Sequence, residues 1–156
     1  MDNKLLIIGS GIKTCNVGSM MLRASENLKI GAHLYENNVL FYAPSMQTIQ
    51  GKIFFKIAKR RPYEWWLFNK KLLDFIKEYK PNLIIVTGIF PLKKIIFSYA
   101  NSKNIKMINF LTDNPFAKRL KTKSFLNNIK LYDYIFSTKS NIIQKLFSFN
   151  AKNVQS

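Results

Sequence analysis

Two short polar stretches follow apolar runs and hold the residues best suited to chemistry. Thr87-Gly88 follows the run Leu83 to Val86, and Thr112-Asp113-Asn114 follows the run Met107 to Leu111. Runs that are apolar on both faces are typical of parallel strands, whose carboxyl ends meet at one edge of a sheet, where ligands bind. A carboxylate there can reach a substrate hydroxyl, so Asp113 is the candidate general base. An Asx-type cap of the loop before Pro115 is the structural alternative for the same side chain.

Gly9-Ser10-Gly11 forms a second candidate loop, directly after the apolar run Lys4 to Ile8. Backbone N–H groups at such a turn before a helix can face a phosphate. A dinucleotide fingerprint needs a third glycine, and Thr14 stands in its place. Glu36 ends the second predicted strand, where a nicotinamide-binding domain carries its ribose-binding carboxylate. Dinucleotide binding and a solvated carboxylate at a strand end both stay open for Glu36.

These loops require a sheet of parallel strands to position them. The spacing of apolar runs and helical patterns predicts a doubly wound α/β domain with a mostly parallel sheet of five to six strands flanked by helices. The first strand is expected to be central, and residues 1–156 to form a single Rossmann-like domain. The predicted strands are Lys4–Ile8, Ala32–Glu36, Leu83–Val86, Met107–Leu111, Tyr132–Ser137 and a sixth that begins at Asn153.

Helical periodicity predicts which side each helix buries. The helix over Asn16–Leu28 is expected to present Met20, Met21, Ala24 and Leu28 on one side and to end at Gly31. A long helix is expected to pack a stripe from Trp65 to Tyr79 on the sheet, with Asn69 outside. Further helices are predicted over Gln47–Arg61, from Pro91, over Ala117–Lys130 and over Thr138–Phe149.

The chain is strongly basic, with a formal net charge of +17 and 47% hydrophobic residues. Such a charge favours an anionic partner, although a lysine-rich composition without any such partner is an open alternative. Cys15 is the only cysteine, which excludes an internal disulfide and a thiolate metal cluster and favours a cytoplasmic location. No run of about 18 to 20 apolar residues is present, which is the length that a membrane-spanning helix needs. Neither a metal nor a cofactor is expected.

The basic residues Lys56, Lys59, Arg60 and Arg61 precede the aromatic run Tyr63 to Trp66. Basic amphipathic segments with aromatic residues can lie on an anionic membrane, which would make the protein peripheral at the inner face. A packed helix is the alternative for the aromatic residues. Nucleic acid is an unlikely partner, because no nucleic-acid-binding motif is present.

Three stretches resemble the N-terminal half of GT-B glycosyltransferases, closest to the CgeB-like, spore-maturation family. They are KLLIIGSG, NKKLLDFIKEYKPNLIIVTG and INFLTDNPF. The family often has a strand that runs into Thr, Asp, Asp, Pro, and here Asn114 replaces the second Asp. The ending YDYIFSTKSNIIQKLFSFNAKNVQ is also similar, with Asn150 where the family usually has glycine.

The resemblance implies sugar transfer from a nucleotide-sugar to an unknown acceptor, in a cleft between two domains and without an obligatory metal. It implies that Gly9, Ser10 and Gly11 lie near the donor phosphates, and that Thr87, Gly88, Thr112 and Asn114 shape the acceptor side. The donor domain is expected on a missing C-terminal part or a partner chain. Two alternatives stay open: a small nicotinamide-binding domain, and a basic module that binds a membrane surface.

Overall fold

The fold is given by a computed structural model that describes residues 4–9, 16–36, 49, 62–118, 120 and 122–156. The strands are β1 Lys4–Gly9, β2 Gly31–Glu36, β3 Leu83–Thr87, β4 Lys106–Leu111, β5 Tyr134–Ser137 and β6 Val154–Gln155. The helices are α1 Val17–Asn27, α2 Pro62–Tyr79, α3 Lys94–Ser102, α4 Lys123–Asn128 and α5 Ile143–Ser148. The predicted helix over Gln47–Arg61 lies outside the described residues, apart from residue 49.

All six strands form one parallel sheet in the order β2-β1-β3-β4-β5-β6. The predicted α/β class and doubly wound, parallel sheet are therefore confirmed. β1 lies inside the sheet, between β2 and β3, but it is second from one edge, and the two middle strands are β3 and β4. Each strand returns to the next through a helix, which is the connection that parallel pairing requires.

The two faces of the sheet are buried to different degrees. On the first face, Leu6, Ile84, Met107 and Ile135 are 0–2% exposed and join one core with α2, α3 and α5. On the second face, α1 packs on β1 and β2 and buries Ile7. Over β3 to β5 the second face is only half-buried in the described structure. The half-buried residues are Ile85, Ile108, Phe110 and Phe136.

The predicted buried side of α1 is also wrong. Met20 is 54% exposed and Leu28 is 70% exposed, whereas Gly18, Ser19 and Ser25 are buried against the sheet. A β-carbon on Gly18 would lie 3.2 Å from the Leu34 side chain, so a larger residue there would require that side chain to shift by a few tenths of an ångström. The buried serine hydroxyls donate to carbonyls of their own helix, which removes most of the cost of burying them.

Four helices are followed, within two residues of their last residue, by a residue with left-handed backbone, and none of these residues is glycine. They are Lys29, Lys80, Asn104 and Asn150, with φ between 52° and 59°. Gly31 does not end α1, as the sequence had suggested, because it is the first residue of β2. Lys29 takes that position, and its backbone N–H donates to the Glu26 carbonyl. Asparagine tolerates this conformation better than lysine does.

The remaining helices are shorter than predicted. α4 covers only Lys123–Asn128 of the predicted Ala117–Lys130, and α5 covers only Ile143–Ser148 of Thr138–Phe149. α3 begins at Lys94, three residues after Pro91. Among the described helices, none is long and apolar enough to cross a membrane.

Candidate functional site

The strand order reverses between β1 and β3, and in open parallel sheets the carboxyl edge at such a point borders a crevice. The chain leaves β1 toward β2 on one side, and β3 joins β1 on the other side. In open parallel sheets this reversal leaves a space beyond the strand ends in which ligands bind. Gly9 ends β1 and Thr87 ends β3, so two of the predicted site residues border the crevice.

The Thr87 hydroxyl has a structural hydrogen bond at this crevice. Its Oγ1 donates to the Ile8 carbonyl at 3.1 Å, and the side chain is buried. A β-carbon on Gly9 would lie 2.7 Å from the same Oγ1, which is closer than real β-carbons approach other atoms. The hydroxyl therefore fills the space above Gly9 and ties β3 to β1. Because the hydroxyl proton is already donated to the Ile8 carbonyl, the Thr87 hydroxyl can only accept a hydrogen bond from a ligand.

Gly9 also allows the first turn of α1 to approach the sheet. The β-carbon positions of Gly9 and Gly18 each fall within 3.5 Å of the other residue's Cα. Close packing of helix on strand is one of the tasks of glycine in dinucleotide-binding turns. The sequence reasoning sought that glycine at Thr14 and missed Gly18, although its place within the predicted helix was the available signal. Ser10 and Gly11 lie outside the described residues.

The start of α1 is capped by a reciprocal pair of side chains. Asn16 Oδ1 accepts from the Ser19 backbone N–H at 3.1 Å, and Ser19 Oγ accepts from the Asn16 backbone N–H at 3.2 Å. This is a capping box, which satisfies two backbone N–H groups at the start of the helix and stabilises the first turn. The first turn of α1 is therefore held rigidly beside Gly9.

Gly88 turns the chain away from the sheet with a backbone that favours glycine. Its φ is +90°, and its N–H donates to the Phe110 carbonyl at 2.8 Å. A β-carbon there would meet no atom within 4 Å, so glycine is needed for the backbone angle and not for space. The open space at Gly88 is consistent with its predicted place at the cleft.

Asn109 fixes this turn from inside the sheet. The side chain is fully buried, and Nδ2 donates to the carbonyls of Val86 and Gly88, both at 2.9 Å. Its Oδ1 is buried without a hydrogen-bond partner in the described structure. The sequence reasoning treated Asn109 only as an interruption of an apolar strand. A single amide in such a run was the signal that a backbone turn needed a donor.

The loop after β4 assigns different tasks to its three polar residues. Asn114 Oδ1 accepts from the Phe116 backbone N–H at 2.9 Å, so the Asx turn before helix α4 belongs to Asn114 and not to Asp113. The Thr112 carbonyl accepts from the Thr138 hydroxyl at 3.3 Å, which ties the loop to the end of β5. Asp113 is exposed, and among the described residues its carboxylate accepts only from the Thr112 hydroxyl, at the long distance of 3.5 Å.

The structure thus brings Gly9, Thr87 and Gly88 together and carries Asp113 on the loop of the neighbouring strand. The Gly88 N–H bond to Phe110 links β3 to β4 just before that loop. Glu36 is the register partner of Gly9, which places it at the same edge. The predicted membrane residues Lys56, Lys59, Arg60 and Arg61 lie outside the described residues. Within the described part, no group of three acidic, histidine or cysteine side chains is arranged to hold a metal.

No protein-family model matches the chain, and neither the curated proteins nor the solved structures contain a match. The resemblance to CgeB-like transferases therefore rests on the quoted residues. The geometry of the carboxyl edge is an independent line of support for a ligand site.

Proposed function

We propose that this chain is the acceptor-side domain of a GT-B glycosyltransferase. The observation that carries the proposal is the position of Asp113, an exposed carboxylate just beyond the carboxyl end of β4. Its neighbour Asn114 accepts from the Phe116 N–H within the loop, and the carbonyl of Thr112 accepts from the Thr138 hydroxyl at the end of β5. Asp113 is the side chain of this loop whose task the fold does not explain. A general base needs such a position, within hydrogen-bond reach of a substrate.

In the proposed reaction Asp113 removes the proton of an acceptor hydroxyl. The hydroxyl oxygen forms a bond to the anomeric carbon of the donor sugar, while the bond from that carbon to the donor phosphate breaks. The nucleotide leaves with the electron pair. Backbone N–H groups of the Gly9-Ser10-Gly11 stretch, which precedes α1 in the sequence, are the proposed ligands of the leaving phosphates. Thr87, Gly88, Thr112 and Asn114 border the acceptor.

The proposal requires a donor domain, on the same polypeptide or on a partner chain. An antibody raised against these 156 residues would report the mass of the native polypeptide in its source cells. A native mass well above 18.2 kDa is the expected result. The 156-residue chain alone is expected to transfer little or no sugar, and full sugar-nucleotide-dependent transfer by this chain would contradict the two-domain proposal.

The role of Asp113 is tested in the native polypeptide with Asp113→Asn. Loss of a general base lowers rates by about 100-fold to 10,000-fold, so kcat should fall by at least about 100-fold while the donor KM stays similar. Asp74→Asn, on the exposed side of α2, is the matched control and should leave kcat unchanged. An unchanged kcat in Asp113→Asn would remove Asp113 from the mechanism.

A second candidate is a nicotinamide-dinucleotide-binding domain. The observation in its favour is the pairing of Gly9 with Glu36 at the same edge of the sheet, with Gly18 packed against Gly9. In this function Glu36 binds the ribose hydroxyls and the Gly9 turn faces the pyrophosphate. Saturable NAD(H) binding that is lost in Glu36→Ala would favour it over sugar transfer.

We also propose that the protein is cytoplasmic and peripheral at the inner face of the membrane. The support is the charge of +17 and the basic segment with Lys56, Lys59, Arg60 and Arg61. Changing these four residues to glutamine should weaken sedimentation with vesicles that contain phosphatidylserine. Equal sedimentation of the variant and the unchanged protein would contradict a role for this segment.

A further inference from the structure

A groove of about 700 Å³ lies on the helical side of the molecule, between the start of α3, helix α4 and the end of α5. Three lysines line it, Lys93, Lys94 and Lys130, and all three are exposed. No described residue that lines the groove is acidic. The groove therefore concentrates positive charge without an internal counter-ion. We call it the lysine groove.

The wall of the lysine groove is held by side-chain hydrogen bonds. The Leu92 carbonyl accepts from Asn128 Nδ2 at 2.7 Å and from Ser124 Oγ at 3.2 Å. The Lys93 backbone N–H donates to Asn69 Oδ1 at 2.6 Å. These bonds join α4 and α2 to the segment that carries the first two lysines. The groove is thus a feature of the folded helices rather than of one mobile side chain.

Trp66 extends the basic surface beyond the groove. Lys93 Nζ is 6.0 Å from the centre of the Trp66 ring, and Lys70 Nζ is 5.7 Å from it. The Trp66 side chain is 45% exposed. The preceding Trp65 instead packs edge-on against Phe68 and Phe90, with ring centres 5.4 and 5.9 Å apart. Of two adjacent tryptophans, one is half-buried against the core and the other lies at the surface among lysines.

An exposed aliphatic residue adjoins the same lysines. Ile95 follows Lys94 in α3 and is 57% exposed. Exposed indole and aliphatic side chains beside lysines are typical of surfaces that lie at a lipid headgroup layer. A soluble phosphate or a nucleic acid would use the lysines but would gain nothing from an exposed isoleucine. The combination therefore favours an acidic membrane over either of those ligands.

We propose that the lysine groove and Trp66 bind the surface of an acidic phospholipid membrane. Phosphate-bearing headgroups enter the groove, and the Trp66 indole and Ile95 lie at headgroup level. The inference rests on the proposed peripheral location and not on glycosyl transfer. It assigns that location to a surface distinct from the Lys56 to Arg61 segment. None of the candidate cleft residues that the structure describes lines the groove, so the two sites use different side chains.

The first test is sedimentation with vesicles of phosphatidylcholine, with and without phosphatidylserine. The triple variant Lys93→Gln/Lys94→Gln/Lys130→Gln should bind the acidic vesicles about 100-fold more weakly, because each lysine near such a surface contributes about 1 kcal/mol, equivalent to roughly fivefold in affinity. The matched control Lys4→Gln/Lys29→Gln/Lys106→Gln removes the same charge from exposed positions outside the groove. It should lose less than about tenfold, since charges more than about 8 Å from the membrane are screened.

The second test uses the two tryptophans as reporters. In Trp65→Phe the remaining fluorescence comes from Trp66, and its emission should shift to shorter wavelength when acidic vesicles are added. In Trp66→Phe the remaining Trp65 is packed against the core, and its emission should stay constant. A shift from Trp65 and none from Trp66 would overturn the proposed orientation.

The outcomes separate this inference from the proposed location. If the groove variant binds as the unchanged protein does while the Lys56/Lys59/Arg60/Arg61 variant does not, the location stands and the groove inference is wrong. Equal losses of affinity in the triple groove variant and in its control would show that binding depends only on net charge. That result would also overturn the groove inference. Tighter binding to DNA than to acidic vesicles, with the same sensitivity to the groove triple, would make the groove a nucleic-acid site instead.

Discussion

The Thr87 hydroxyl occupies the space into which a side chain on Gly9 would project. Its oxygen would lie 2.7 Å from a β-carbon built on Gly9, and it donates to the Ile8 carbonyl at 3.1 Å. The two residues end neighbouring strands, so this contact sets the distance between the strand ends that border the crevice. The width of the candidate site therefore depends on the contact between Gly9, which has no side chain, and the Thr87 hydroxyl.

Gly9→Ala should destabilise the protein by about 1 to 3 kcal/mol, because the added methyl overpacks a filled space. Removing the opposing hydroxyl in Thr87→Ala should relieve part of that cost. We expect a favourable coupling of about 1 kcal/mol in a double-mutant cycle measured by urea unfolding. Additive effects of the two changes would show that the contact does not limit the space at Gly9.

Lys80 directly follows the last residue of α2 and has a left-handed backbone, with φ of 52°. A residue with a β-carbon pays about 1 to 2 kcal/mol for this conformation, and glycine avoids it at some cost in unfolded-state entropy. Lys80→Gly should therefore raise the free energy of unfolding by about 0.5 to 1 kcal/mol.

Asn104 is the matched control for Lys80, because it has the same backbone at the end of α3, with φ of 55°. Asparagine already tolerates this region, so Asn104→Gly should gain only a few tenths of a kcal/mol. Equal gains at the two positions, measured by urea unfolding, would contradict the argument from side-chain type.

The sheet was predictable because its strands are apolar runs bounded by polar or glycine residues. That pattern depends only on local sequence, and it placed Gly9, Thr87, Gly88 and Asp113 at strand ends. The tasks of individual polar residues depend on tertiary contacts, which periodicity does not contain. Asn114 and Asp113 are equally good Asx residues in sequence, and only the position of the Phe116 N–H selects Asn114.

Asn69 shows the same limit within a helix. Helical periodicity placed it on the outer side of α2, but it is 2% exposed. Its amide group bonds the Trp65 and Pro91 carbonyls and the Lys93 N–H, which lie 4 to 24 residues away. The predicted buried side of α1 was wrong for a different reason. Helix α1 packs closely on the sheet at Gly18, and small residues rather than the larger apolar ones face the sheet there. In both cases the distance between elements, not hydrophobicity, decided what was buried.

Ile84 and Ile85 are neighbours in β3 that face opposite sides of the sheet. Ile84 is fully buried under the helices, and Ile85 is half-buried on the second face. Ile84→Ala should cost about 3 to 4 kcal/mol through lost burial and a cavity, whereas Ile85→Ala should cost about 1 to 2 kcal/mol. Equal losses in urea unfolding would indicate that the second face is covered as fully as the first in solution.

Tyr132 provides a test at alkaline pH. Burial raises the pKa of this phenol well above its usual value, and its hydroxyl is buried without a hydrogen-bond partner in the described structure. Because the folded-state pKa is raised, no stability is lost below the unfolded pKa of about 10. Above it the unfolded chain releases the proton and the folded chain does not, so stability falls by up to about 1.4 kcal/mol per pH unit.

Tyr132→Phe removes this titration and also removes an unsatisfied buried hydroxyl. The variant should equal or exceed the unchanged protein in stability at neutral pH, because no hydrogen bond is lost. As pH rises above about 10, the free energy of unfolding of the phenylalanine variant should exceed that of the unchanged protein by a growing amount. The reason is that Tyr132 ionises in the unfolded chain, whereas phenylalanine cannot ionise. Tyr35 and Tyr79, whose pKa values burial also raises, remain in both proteins and cancel in the comparison. Urea unfolding at several pH values measures the difference. A constant difference across that range would mean that the Tyr132 hydroxyl reaches water in the folded protein.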